Sequence, residues 1–334
     1  MANTNETPVC LVRGSINMQD EFFKVPHIVN PGETISSTEY SQRPGGKGAN
    51  QAVAVAASGS RVEFAGSVGS DGAWLKEFLK EHGVGTDLML VHEGKPSGRA
   101  IIQTTPDGEN AIFLFPGTNH ASYPVDAPAI RPYHTHLLLQ NEILLSDTVE
   151  TLQAAYQQGV VSIFNPSPML SPEDLRLFPW KKLSILVVNQ GEARTLLSAL
   201  GKQDEKLVDF DGQTILNALV SLPVLSGLSG IIMTLGGSGA IASFLTPGTG
   251  GRETIQLPAA KVKVTDTTGA GDTFLGYFCG SLMRIPGSTW DAKQLTEALK
   301  RSIVAAGLST ERPGAMSSIP LNLEVENQLS AYQD

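Results

Sequence analysis

Charge is scarce in this chain. Asp, Glu, Lys and Arg make up 17% of its 334 residues, against 41% hydrophobic ones. What charge there is leans acidic, with a net value of −9 and a pI near 5.2. That balance excludes general affinity for nucleic acid or for an anionic membrane surface. A nucleotide substrate stays compatible, since it needs only local positive potential. Long apolar runs are also missing, and none reaches the roughly 18 residues of a membrane span. Residues 1–8 carry neither a charged n-region nor an apolar h-region, so no secretory signal is expected. Cysteine is limited to Cys10 and Cys279, each in an apolar run. Two free, buried thiols in a reducing compartment are the simplest expectation. Zinc-ligand spacing, low-complexity segments and repeats are absent. The apolar content is ample for a large core, organised as one α/β domain or a domain with a subdomain.

What is present concentrates in two glycine-rich stretches. One is Asp266-Thr267-Thr268-Gly269-Ala270-Gly271-Asp272-Thr273-Phe274. Before it, Ala260 to Thr265 alternates apolar and charged residues, the period of a half-buried strand. After it, Phe274 to Met283 is apolar, small and free of Pro, as suits a buried helix. A strand that turns through small residues into a helix leaves backbone N–H groups free at the helix N-terminus. Those groups and the helix dipole favour an anion. Asp272 then has two readings: a first-turn Asp that complements the dipole, or a base beside a bound phosphate. The second stretch, Pro44-Gly45-Gly46-Lys47-Gly48-Ala49-Asn50-Gln51, precedes the helix-like run Ala52 to Ala57. It is not a Walker A loop, because Gly48 rather than Ser or Thr follows Lys47 and the upstream Gly is misplaced. There remain a diglycine turn open to close approach, and a Lys and an Asn at a helix start.

Together the two stretches resemble the N-terminal and C-terminal signatures of the ribokinase branch of the PfkB sugar-kinase family. Their order and separation make the pair specific. The resemblance runs from Gly14-Ser15-Ile16-Asn17 to Gly314-Ala315-Met316-Ser317-Ser318-Ile319-Pro320. It implies a ribokinase-like three-layer α/β/α fold, with a mostly parallel central sheet and a small β-sheet lid. Residues 1–334 would form one kinase domain, with lid segments near 17–44 and 96–117.

The chain in order fits that frame. Val9 to Ile16 reads as a buried strand. From Arg61 a βα rhythm follows, with strands at Val62–Ser67, His136–Gln140, Val160–Phe164, Leu183–Val188 and Gly230–Leu235. Helices are expected at Ala73–Glu81, Asp147–Gln157, Glu192–Leu200, Gln213–Leu222 and Asp291–Leu308. Alternation of this kind argues for a parallel sheet. Glu33–Gln42, Ser97–Thr105 and Asn110–Phe115 break the rhythm, with Asp107-Gly108 as a hairpin signal between the last two. These are surface hairpins or, by the resemblance, the lid. Polar residues cluster where strands stop, which is where open α/β sheets bind ligands.

The resemblance implies roles residue by residue. Asp272 becomes the catalytic base, and the N–H groups of Gly269, Ala270 and Gly271 an anion hole. Asn17, Gly45, Gly46, Lys47, Asn50, Glu142 and Asp272 would hold the sugar. Relatives place an Asp two residues after the Asn. Here Gln19 stands there and Asp20 one further on, so one extra residue leaves both as candidates. Asn189-Gln190-Gly191-Glu192 matches a motif linked to Mg²⁺ and phosphate, though the same pattern is a helix capping box. Asn189, Thr234, Gly236, Gly237, Gly239 and Gly271 would line ATP. Asp266, Thr268, Ser309, Arg312, Gly314 and Ser318 match a site for a monovalent cation, K⁺ by expectation. The implied activity is transfer of the γ-phosphoryl of ATP to a primary hydroxyl, O5 of D-ribose first. Other sugars, keto-sugar acids and nucleosides are alternatives, as is a non-catalytic binding role. A cytoplasmic homodimer joined through the lid is expected, nuclear as well in a eukaryote, with no nucleic-acid or membrane partner.

Overall fold

The computed structural model describes residues 7–107, 109–124, 129–201, 211–246, 248–287 and 289–332. Eight strands form the central sheet, in the order β14 (Arg252–Leu257), β13 (Ala240–Leu245), β12 (Gly230–Thr234), β11 (Ile185–Asn189), β10 (Val161–Phe164), β9 (His136–Leu139), β1 (Val9–Arg13) and β4 (Arg61–Ala65). From β12 to β4 every neighbouring pair is parallel, while β13 and β14 are antiparallel at one edge.

The inner parallel strands are largely apolar because both their faces are covered, whereas the edge strand β14 is half-exposed. In β11, Ile185 and Val187 face one core and Leu186 and Val188 the other, the period of two that a pleated strand imposes. The first core packs against α1 (Lys47–Ala57), α2 (Leu75–Glu81), α7 (Ala270–Leu282), α8 (Ala292–Ser309) and α9 (Asn322–Leu329). The second packs against α3 (Leu145–Gln157), α4 (Pro172–Leu177), α5 (Gln190–Leu200) and α6 (Gly212–Val220). The result is the expected three-layer α/β/α body. No described helix is long and apolar enough to cross a membrane.

A four-stranded sheet of order β3 (Glu39–Gly45), β2 (Asn17–Lys24), β7 (Gly98–Thr104), β8 (Asn110–Phe115) stands over the carboxyl ends of the parallel strands. A short pair, β5 (Ser67–Gly69) and β6 (Leu90–His92), lies beside it. The strand expected over Glu33–Gln42 begins only at Glu39. Of the hairpin signal between β7 and β8, Gly108 lies outside the described residues.

The alternating run Ala260 to Thr265 is not a strand. β14, the edge strand next to it in sequence, pairs with β13 alone, and the run does not add to it. Its N–H groups turn instead to the end of α8, where the carbonyl of Thr310 accepts from Thr265 (2.7 Å) and Asp266 (3.0 Å). Ala260 to Val264 line a cavity with apolar and charged side chains alike.

One packing contact sets the site. A Cβ at Gly276 would lie 2.3 Å from Ala54 Cβ, and one at Gly280 would lie 2.0 Å from Ser58 Oγ. These two glycines, one turn apart, let α7 lie directly on α1. Asp272, one turn before Gly276, is thereby brought to Asn50 and Gln51.

Candidate active site

The diglycine turn is built by close approach to the end of β1. Gly46 has φ 92° and a Cβ there would lie 2.8 Å from Ile16 Cα; at Gly48 it would meet Ser15 N at 2.6 Å. The first N–H groups of α1 are engaged by protein. Lys47 N donates to Glu142 Oε2 (2.9 Å), Gly48 N to Ser15 Oγ (3.3 Å) and Ala49 N to the Ser15 carbonyl (2.9 Å). Ser15 Oγ also donates to Glu142 Oε2 (2.6 Å).

The start of α7 differs. Gly269, in the left-handed region at φ 76°, caps it without any side-chain hydrogen bond, and a Cβ there would lie 2.8 Å from Ala315 Cα. Ala270 N makes a long bond to the Thr267 carbonyl (3.3 Å). Among the described residues, the N–H groups of Gly269, Gly271 and Asp272 have no acceptor. A Cβ at Gly271 would meet nothing within 4 Å. Asp272 is only 7% exposed, yet both carboxylate oxygens are held: Asn50 Nδ2 donates to Oδ2 (2.9 Å) and Gln51 Nε2 to Oδ1 (2.9 Å). The other amide atom of Asn50, Oδ1, is buried without a partner among the described residues.

On the lid side, the extra residue after Asn17 is absorbed by a β-bulge. Register shifts between Asn17 and Asp20 against β3, and between Asn17 and Gln19 against β7. The bulge turns Gln19 outward, to Gln42 (2.6 Å) and Arg99 (3.3 Å). Asp20 turns inward over Gly45, where a Cβ would lie 1.7 Å from its Oδ2, and it accepts from Asn17 Nδ2 (2.9 Å). Burial, above all, pushes the Asp20 carboxyl up to about 7; Asn17 and the Gly46 backbone oppose this, and Glu142 and Asp272 add to it. Asn119 fixes the other end, taking Ile16 N on Oδ1 (2.9 Å) and donating to Asn17 Oδ1 (3.0 Å). Burial lowers the Lys47 pKa most of any single cause. The fields of Asp272, Glu142, Glu192 and Asp20 together outweigh it and hold the ammonium above its ordinary value.

Two cavities meet at the start of α7. A cavity of about 230 Å³ is lined by Lys47, Asn165, Asn189, Glu192 and Asp272 among others. A larger one, about 820 Å³, is lined by Gly236, Gly237, Val262, Phe274 and Ile303 among others. They share Thr234, Thr267 and Gly271. Gly236 and Gly237 are open to it, whereas Gly239 (φ 91°) packs on the Leu257 carbonyl, 2.1 Å from a would-be Cβ. Asn189 and Glu192 do form a capping box on α5, with Asn165 Nδ2 reaching Glu192 Oε2 at 3.4 Å.

Behind the turn, Asp266 accepts from Thr268 N (2.9 Å), Thr268 Oγ1 (2.6 Å) and Gly314 N (2.8 Å). Burial raises its pKa, but these bonds and the field of Arg43 outweigh it and leave the carboxyl below its ordinary value. Ser309 and Ser318 donate into their own loop, to Ala306 and Ala315 carbonyls, and Arg312 pairs with Glu324. Gly314 must be Gly: φ is 99°, and a Cβ would lie 2.4 Å from Arg43 Nη1. Arg43 thus ties the lid to this corner.

Gln51, Gln140, Asn119 and Arg43 were not singled out from sequence. Gln51 stands inside the glycine-rich signature, which is a signal; the other three touch the site only through the fold.

The sequence matches the pfkB family carbohydrate kinases over residues 9–322. It is 30% identical over 330 residues to the bifunctional ribokinase/ribose-5-phosphate isomerase A of Fructilactobacillus sanfranciscensis, covering 97% of this chain but 56% of that longer protein. The fold matches the ribokinase of Cryptococcus neoformans var. grubii serotype A, solved with ADP, at a TM-score of 0.83 and 46% identity, over 96% of this chain and 99% of that one. It matches Arabidopsis thaliana ribokinase, solved with ribose and ATP, at a TM-score of 0.79 and 27% identity, over 97% and 98%. The matched span contains both glycine-rich helix starts and the corner behind them, and the chain belongs to the pfkB family of carbohydrate kinases.

Proposed function

We propose that this chain transfers the γ-phosphoryl of ATP to O5 of D-ribose. One observation carries the reading. A buried carboxylate, Asp272, stands one residue past the free N–H of Gly271, where two cavities meet. Base and anion site come from a single turn. The larger cavity suits the nucleotide, with its apolar end at Phe274 and Ile303 for the base. The relatives solved with ADP, and with ribose and ATP, support the same pairing of ligands.

In this reading Asp272 accepts the hydroxyl proton as the oxygen attacks. The free N–H groups at the start of α7 take up charge on the transferring phosphoryl. Positioning and charge neutralisation are what phosphoryl transfer asks of a protein. Asn17, Asp20, Gly45, Gly46, Lys47, Asn50 and Glu142 grip the sugar, and the unpartnered Asn50 Oδ1 waits for a hydroxyl donor. Glu192 and Asn189 supply oxygen donors beside the phosphate path. They suit Mg²⁺ held through water, which neutralises phosphate charge when bound. Asp266, held ionised, and the 309–318 loop suit K⁺ behind the turn.

The lid edge supports a homodimer. Ile112 is 54% exposed, Phe113 62%, Leu114 41% and Phe115 44%, an apolar edge strand of the kind that pairs with another chain. Cys10 and Cys279 are free and buried, which suits the reducing cytoplasm.

The test is sugar-dependent ADP formation across ribose, other pentoses and hexoses, keto-sugar acids and nucleosides. Ribose should give the highest kcat/KM, and K⁺ should activate where tetramethylammonium does not. A nucleoside or another sugar ahead of ribose overturns the substrate; no turnover with any acceptor overturns the kinase reading.

A further inference from the structure

Behind Asp272 lies a string of two buried amides that substrate binding does not use. Gln51 and Gln140 are both 0% exposed. Gln51 Nε2 donates to Asp272 Oδ1 (2.9 Å), and Gln51 Oε1 accepts from Gln140 Nε2 (2.6 Å). Gln140 Oε1, at the far end, has no partner among the described residues. Gly14 makes the space for it, since a Cβ there would lie 2.0 Å from that oxygen. Gln140 follows β9 directly, and Gln51 lies in the second turn of α1.

A glutamine amide has a donor end and an acceptor end of nearly the same shape. The Asp272 carboxylate takes the NH₂ end of Gln51, which leaves the Gln51 carbonyl facing Gln140. Gln140 donates to that carbonyl and so favours this orientation of the Gln51 amide over the reverse. The reverse polarity would set the Gln51 carbonyl against Asp272, which is tolerable only when Asp272 carries a proton. A hydrogen bond to the ionised form favours that form.

We propose that Gln140 is a positioning residue that acts through Gln51: by donating to the Gln51 carbonyl it holds that amide with its NH₂ on Asp272, and so keeps the carboxylate aimed before the sugar hydroxyl arrives. This rests on the reading of Asp272 as the base. The unpartnered Gln140 Oε1 fits a string whose far end has no acceptor role of its own.

The experiment compares Gln140→Met, Gln140→Glu, Gln51→Met and the Gln51→Met/Gln140→Met double variant with the full chain. Met keeps the length and removes the donor. For Gln140→Met, kcat should fall by up to roughly 10-fold, the order of one buried hydrogen bond. The acid limb of the kcat–pH profile should move to higher pH, while KM for sugar and for ATP stays within about threefold. A purely structural glutamine would not move that limb. Gln140→Glu should be worse than Met, because a carboxylate at 140 demands the NH₂ of Gln51 and turns its carbonyl onto Asp272. The double variant should be no worse than Gln51→Met alone. Should Gln140→Met melt below assay temperature, Gln51→Met reads the same contact from its other side. Wild-type kcat and pH profile in the folded single variants, or additive losses in the double, overturn the proposal. Asp272→Asn separates the two failures: if that variant is dead while the glutamine variants are normal, only the string is wrong, and if it is active, the base assignment falls first.

Discussion

Two glycine-rich turns open two adjacent helices, and only one of them leaves its first N–H groups open to a ligand. At the start of α1, three successive N–H groups are engaged by Glu142 and Ser15. At the start of α7, Gly269, Gly271 and Asp272 keep theirs free among the described residues. The glycines differ in the same way. Gly46 and Gly48 are glycine because backbone lies within 3 Å of where a Cβ would be, whereas at Gly271 a Cβ would meet nothing within 4 Å. Glycine richness before a helix is therefore no predictor of phosphate binding on its own. The decisive question is where the orphan donors of the first turn find acceptors. The engaged turn holds the Glu142 carboxylate in place; the open one keeps its donors unpaired among the described residues.

The largest effect should come from the open turn. Asp272→Asn keeps the shape and removes the basicity, so kcat should fall by roughly 10²–10⁴-fold, the worth of a general base. KM for both substrates should change little, since the loss belongs to the transition state. Near-normal kcat in a variant with an unaltered circular dichroism spectrum would reduce Asp272 to a helix-start residue.

The same substitution at each turn should then give opposite results. Gly48→Ala puts a Cβ 2.6 Å from Ser15 N, against backbone that cannot move aside. It should cost roughly 1–3 kcal/mol or more of stability, as overpacking does. Gly271→Ala meets no atom within 4 Å and lies within a helix, where Ala is favoured over Gly by roughly 0.5–1 kcal/mol. Its melting temperature should hold or rise while KM for ATP increases. Thermal melts and ATP titrations of the pair decide it. Equal destabilisation, with ATP affinity intact, would mean that the open space at Gly271 is not where the nucleotide lies.

How much of this was readable in the sequence varies by region. β1, β9, β10, β11 and β12 were readable because strands buried on both faces are continuous apolar runs. The start of α7 was readable from its own glycines and from the family signature. Ala260 to Thr265 misled, because an alternating run becomes a strand only where a neighbour pairs with it, and here its N–H groups go to Thr310 and Glu311. The choice between Gln19 and Asp20 could not be read locally. It depends on a bulge, and a bulge exists only once β2 has paired with β3 and β7. Gln140 lies 89 residues from Gln51, and an amide-to-amide contact leaves no pattern in composition or period.

The engaged turn reaches the ligand through side chains laid over it, and Asp20 is the sharpest probe of that. Losing a buried hydrogen bond to a ligand costs roughly 1–3 kcal/mol, so Asp20→Asn should raise KM for sugar about 10-fold and leave that for ATP unchanged. A smaller, pH-dependent effect follows from its environment. Its folded pKa, pushed up to about 7, lies above the ordinary 3.8, so the ionised form is disfavoured by folding. The sign then runs against the usual carboxylate. Between those two values the folded state binds more protons than the unfolded one, so this group's contribution to stability falls as pH rises toward 7 and is flat beyond. Asn carries no such penalty. The melting temperature of Asp20→Asn, relative to wild type and without sugar, should therefore improve from pH 5 to pH 8. Sugar binding should go the other way in wild type, tightening as pH passes 7, because an ionised carboxylate accepts from more hydroxyls than a protonated one. That tightening should vanish in the variant. A melting-temperature difference that is the same at pH 5 and pH 8, with a sugar KM flat in both proteins, would mean that Asp20 is an ordinary solvated carboxylate and that the bulge does not deliver it to the site.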